Sequence, residues 1–106
     1  MGPRSALRTL RDFAARELKE KRANQIDVRR VKMKSLMRKG RLPDLRVRTV
    51  EGAHYLVCIF RGIDLRVYYM NKRGEMLGAD DFTGEKRERT WREISKRTKS
   101  VFRLST

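Results

Sequence analysis

The sequence contains one cysteine, one histidine and two prolines in 106 residues. A lone cysteine excludes an internal disulfide. A lone histidine argues against a zinc site, which needs several Cys and His ligands together. No apolar run approaches the ~18 residues of a membrane span. The segment Met1 to Leu10 lacks the apolar core of a secretion signal, so a cytoplasmic location is expected. Two prolines and seven glycines exclude collagen-like and low-complexity chains. No Gly-x-x-x-x-Gly-Lys phosphate-binding loop occurs. Acidic residues are also scarce, with 13 Asp and Glu against 28 Lys and Arg, a net charge of +15. The length fits one domain with one modest core, so a single basic domain over residues 1–106 is expected.

The positive charge is unevenly spread. Residues 1–48 carry a net +11, residues 49–82 a net −1 and residues 83–106 a net +5. A near-neutral sheet flanked by basic helices would produce this pattern. The implied partner is a polyanion.

Local patterns give an α+β fold. After Ser5, a candidate N-cap, the residues Leu7, Leu10, Phe13, Ala14 and Leu18 recur at helical spacing. They predict a helix from about Ser5 to Arg22. Asp27 can cap a second helix, with Ile26 and Val31 as a hydrophobic staple. Gly40 and Pro43 would end it near Lys39. Leu45, Val47 and Thr49 alternate with Arg46 and Arg48, as in a half-exposed strand. Glu51-Gly52 turns the chain. The continuous apolar run Tyr55 to Phe60 predicts a central strand covered on both faces. Arg61-Gly62 turns again, and Leu65 to Met70 is a further strand rich in β-branched and aromatic residues. Asn71 to Gly74 is a turn, and Glu75 to Ala79 a short fourth strand. Asp80 to Gly84 reads as a loop, with the two aspartates at the start of a last helix that runs from about Glu85 to Phe102. The expectation is two N-terminal helices, an antiparallel sheet of three or four strands, and a C-terminal helix. The helix faces carrying Leu7, Leu10, Phe13, Leu18, Trp91, Ile94, Val101 and Phe102 should pack on the sheet.

The last helix carries the most informative constellation. At about 100° per residue, Arg89, Arg92, Lys96, Lys99 and Arg103 fall within an arc of about 80°, opposite Ile94 and Val101. They would form one basic stripe about 21 Å long. Like charges four apart are unfavourable by a few tenths of a kcal/mol. Phosphates would reverse that sign, and counterion release would drive binding. Arg29, Arg30, Lys34, Arg38 and Arg41 form a second basic cluster in the second helix and just beyond it. This cluster lacks the separated faces and inserted aromatics of a membrane-surface helix, so no membrane partner is expected. The lead reading is non-catalytic nucleic-acid binding, with duplex DNA slightly ahead of RNA, through phosphate contacts that give affinity rather than sequence specificity. The other reading for the same charge is docking on an acidic protein surface.

Tyr68 and Tyr69 are adjacent and must point to opposite sides of a sheet. One belongs to the core, and the other could offer bases a stacking platform. Cys58, between Val57 and Ile59, reads as a small core hydrophobe. His54 lies near a turn and pairs with no nucleophile. No cofactor or metal is expected.

Two resemblances bear on this reading. Leu36-Met37-Arg38-Lys39-Gly40-Arg41-Leu42-Pro43 resembles the end of the DNA-binding helix of excisionase-like winged-helix proteins, which implies a β wing after it. Two basic helices followed by an antiparallel sheet resemble, in order and size, the toxin ribonucleases of the RelE/ParE type, although that family opens with a strand. This second resemblance implies messenger-RNA cleavage, with His54, Arg61, Arg66 and Tyr68 around the scissile phosphate.

Overall fold

The structure, a computed structural model, describes residues 3–20, 23–32 and 50–105. The amphipathic N-terminal segment forms helix α1 (Pro3–Glu20). Strand β1 (Gln25–Val31) follows, then β2 (Tyr55–Arg61), β3 (Asp64–Met70) and β4 (Met76–Thr83). Helix α2 (Gly84–Arg97) leads directly into β5 (Thr98–Ser105). The five strands form one sheet in the order β4-β3-β2-β1-β5, with every neighbouring pair antiparallel. The apolar run Tyr55 to Phe60 therefore lies in the middle strand, as its composition predicts.

The helices cover opposite faces of this sheet. On one face Ala6, Leu10 and Ala14 of α1 pack with Ile26, Val28, Val57, Ile59 and Tyr68, flanked by Leu7, Phe13 and Leu18. On the other, Ile94 and Trp91 of α2 pack with Val31, Leu56, Cys58, Leu65, Val67 and Tyr69. Because β4 and β5 are the two edges, α2 crosses the whole sheet between them. Among the described residues, no helix is long and apolar enough to cross a membrane.

Three expectations are corrected. The expected second helix is not formed at its start, because residues 25–31 are a strand. The segment is buried on both faces, Ile26 and Val28 against α1 and Asp27, Arg29 and Val31 towards α2. Gln25 to Arg29 does alternate polar and apolar residues as a strand does, but Asp27 looked like a helix cap because its true partners lie elsewhere in the chain. The rest of the expected helix, the strand from Leu45 to Thr49 and the excisionase-like segment lie outside the described residues. Second, the last helix stops at Arg97, and Val101 and Phe102 belong to an edge strand. Val101 is the extra residue of a β-bulge, since Val28 pairs with Phe102 and Arg29 with Ser100. Phe102 and Leu104 flank the α1 cluster, and Val101 is exposed. Third, Asp80 to Thr83 continue β4 rather than forming a loop. Charged side chains along β4 and β5 suit exposed sheet edges, because they discourage pairing with another chain.

The turn between β3 and β4 ties this edge to α1. The Asn71 side-chain carbonyl accepts from the amides of Arg73 and Glu75 at 2.9 Å each. Gly74 has φ +85°, and an added Cβ would lie 3.4 Å from the Ala6 carbonyl oxygen. That is contact without overlap, so the cost of Gly74→Ala comes from the left-handed backbone, about 1–2 kcal/mol. A thermal melt should show the variant losing several degrees in Tm.

Cys58 is fully buried on β2 directly opposite Asp27. Burial first, and the Asp27 carboxylate second, push its thiol well above the ordinary range. A thiol reagent should therefore not react with the native protein, and the labelling rate should report opening of the central strand. Fast stoichiometric labelling of the native state would contradict this placement.

Candidate nucleic-acid interface

Helix α2 presents its basic residues because its apolar ones are needed below. Thr90 and Ile94 are buried, and Arg89, Arg92 and Lys96 occupy the opposite, exposed crest. None of the three makes an ion pair or hydrogen bond with another described residue. The other two members of the expected stripe leave the helix. Arg103 lies on β5 on the α2 side of the sheet, where its Nε donates to Asp27 Oδ2 at 3.2 Å while its side chain stays 59% exposed. Lys99 sits directly opposite Arg30 across β5 and β1, in the register that faces the α1 side. Both are exposed, and like charges directly opposed on a sheet are unfavourable. The stripe is thus split between the two faces.

Arg29 is removed from the expected phosphate-binding set, because it is buried and committed to an internal network. Its Nη1 donates to Asp27 Oδ2 at 2.9 Å, and its Nε donates to Thr98 Oγ1 at 2.6 Å. Thr98 Oγ1 in turn donates to the Ile94 carbonyl at 2.6 Å, and Ser100 Oγ donates to Asp27 Oδ1 at 2.8 Å. This network fastens β5 to β1 and to the end of α2. Lys34, Arg38 and Arg41 lie outside the described residues.

Sequence reasoning missed a cleft beside α2. Phe60 and Trp91 meet edge to face, with ring centroids 4.8 Å apart. The Arg87 guanidinium lies 5.4 Å from the Phe60 ring, and its Nη1 donates to the Gly62 carbonyl at 2.6 Å. Arg103, Asn24, Gln25 and Gly62 complete the lining of this cleft. The volume is about 380 Å³, and among the described residues no carboxylate lines it. Arg87 and Trp91 are four apart on α2, but Phe60 is too distant in sequence for any local pattern to join it to them. The one available signal was Trp91 among basic residues on a single helix.

A second cleft, of about 400 Å³, lies on the α1 face at the same end of the sheet. It brings together Arg61, Arg66 and Tyr68, three of the four residues that the ribonuclease resemblance implies. His54 is not with them, since Arg61 ends β2 and His54 precedes its start. His54 packs instead against Tyr55, and partial burial together with Lys72 and Arg30 lowers its pKa. Glu17, Asp64 and Asp81 share the cleft, so among the described lining residues carboxylates outnumber guanidiniums. Arg66 is held by Asp81 through two hydrogen bonds of 2.8 Å, which push the Asp81 carboxyl below its ordinary range. The contribution of that pair is present above the usual carboxylate range and is lost as pH falls. It is small, because the two side chains are 49% and 55% exposed.

Tyr68 and Tyr69 do point to opposite faces, but both are buried, so neither offers an exposed stacking platform. Tyr68 meets the Phe13 ring of α1 edge to face at 5.2 Å. Among the described residues, no group of His, Cys, Asp and Glu is placed to hold a metal ion. The chain matches no known protein family, no curated protein and no solved structure.

Proposed function

We propose that this chain binds nucleic acid without cleaving it, and that the outward crest of α2 contacts the phosphates. The observation that carries this reading is the row Arg89, Arg92 and Lys96, exposed and without carboxylate partners among the described residues. The row spans about 10 Å of helix. Arg87, on the sheet-facing side of α2, and Arg103, on β5, add two guanidiniums on the same side of the sheet, in the adjoining cleft. Three to five such contacts would give a salt dependence with a log–log slope of roughly −3 to −4.5 on duplex DNA. The ribonuclease reading has less support, because carboxylates crowd the cleft that holds Arg61, Arg66 and Tyr68 and would repel a phosphate.

The test is a titration with labelled duplex DNA, single-stranded DNA and structured RNA at about 50 and 200 mM salt, the range over which phosphate contacts lose most affinity. Binding that falls steeply with salt, with the RNA left intact, is the expected result. Cleaved RNA would promote the ribonuclease reading. No binding to any of the three at the lower salt would overturn the proposal and leave an acidic protein surface as the partner to seek.

A further inference from the structure

We infer that the cleft between α2 and the β1–β2 end of the sheet is a pocket for an unpaired nucleobase, so that the preferred ligand is a single strand. This inference rests on the nucleic-acid reading and narrows it. The cleft combines three chemistries that a base flanked by phosphates would use together. Phe60 and Trp91 supply aromatic surface, on which any base can stack. Gln25 supplies a carboxamide with no hydrogen-bond partner among the described residues, able both to donate to and to accept from a base edge. Arg87 and Arg103 supply two guanidinium groups in the lining. Among the described residues Arg87 donates only through Nη1 and Arg103 only through Nε. The remaining donors of both are open to phosphate oxygens.

The alternatives fit less well. A simple anion would use the two arginines but not the aromatic pair. A cation would meet two guanidiniums and, among the described residues, no lining carboxylate. A duplex keeps its bases stacked inside, so it could reach the crest of α2 but not fill the cleft. The volume, about 380 Å³, lies within the range of small-molecule sites. Trp91 sits next to Arg92 on the same helix, so one strand could lay its backbone on the crest and turn a base inward.

Trp91 is the only tryptophan of the chain, so its fluorescence reports on this cleft alone. The full chain would be titrated with a thymidine decamer, with an abasic strand of the same length and charge, and with a matched duplex. Binding would be followed by anisotropy of a label on the nucleic acid and by Trp91 emission. The thymidine strand should quench Trp91 and bind about tenfold more tightly than the abasic strand, as expected from stacking of one base. Phe60→Leu should shrink that difference to less than about threefold, with circular dichroism confirming the fold. Gln25→Ala, which leaves the aromatic pair in place, should reduce it severalfold. Equal affinity for the base-bearing and abasic strands with unchanged Trp91 emission would overturn the base pocket while leaving the phosphate reading intact. Failure of all three ligands to bind at low salt would overturn both.

Discussion

Replacing Asp27 with alanine is expected to destabilise the fold by about 3–5 kcal/mol, the usual cost of leaving a buried charge without its partner. Asp27 is fully buried, and the side chain of Arg29 is only 8% exposed. The carboxylate accepts hydrogen bonds from Arg29, Ser100 and Arg103, which belong to two different strands. Its loss would strand the Arg29 guanidinium over the Trp91 ring, 5.2 Å from the centroid, with Thr98 as its remaining hydrogen-bond partner. A domain of this size has about 5–15 kcal/mol of stability in all, so the variant would be marginal. Equilibrium urea unfolding measures this directly. The pair should also show strong coupling. Asp27→Leu together with Arg29→Met should recover most of the loss, because an apolar pair of similar volume removes both buried charges. A loss below about 1 kcal/mol for Asp27→Ala would mean that Arg29 is satisfied by Thr98 alone, and that the network does not hold β5 in place.

Arg92→Glu combined with Lys96→Glu is expected to abolish most nucleic-acid binding while leaving the fold intact. Both side chains are exposed on the crest of α2, and neither touches the core. Surface changes of this kind usually alter stability by no more than about 0.5 kcal/mol. On the binding side, removal of two phosphate contacts should flatten the log–log salt slope by about 1.8 on a duplex, or about 1.4 on a single strand. Repulsion by the two new carboxylates adds to the loss. Titration of wild type and variant at several salt concentrations separates the effects, because lost contacts change the slope and misfolding changes the circular dichroism. Normal affinity with an unchanged slope would remove the crest of α2 from the interface.

Much of the architecture could be read from local patterns. The stripe from Leu7 to Leu18 gives α1, and the run from Tyr55 to Phe60 gives the buried middle strand. Gly52 and Gly74 mark turns and have the positive φ that such turns require. The opposite orientations of Tyr68 and Tyr69 follow from the period of a strand. Two of the failures share one cause. Ile26 to Val31 and Thr98 to Ser105 carry mixed polar and apolar residues that also fit helical signals, a cap at Asp27 and a stripe through Val101 and Phe102, although Ile26 to Arg29 alternates as a strand does. In both, buried or bridging polar members are satisfied by partners far away in the chain. Asp27 meets Ser100 and Arg103, and Arg29 meets Thr98.

The candidate site divides in the same way. The exposed cations Arg89, Arg92 and Lys96 were legible because helical spacing alone places them opposite Ile94. Arg29 looked equivalent to them, since charge is visible in a sequence but burial is not. The cleft of Phe60, Arg87 and Trp91 depends on α2 crossing the sheet above β2, which no spacing encodes.

By itself the sequence determines the charge, the amphipathic first helix, the buried central strand and the basic crest, because each depends on residues within a few turns or one strand of each other. Only the tertiary structure decides that the chain after Arg97 becomes an edge strand, that Asp27 and Arg29 are internal, and that an arginine-lined aromatic cleft exists. These three depend on strand pairing and burial between residues up to 76 positions apart, where the free energy of satisfying a buried polar group overrides local propensity.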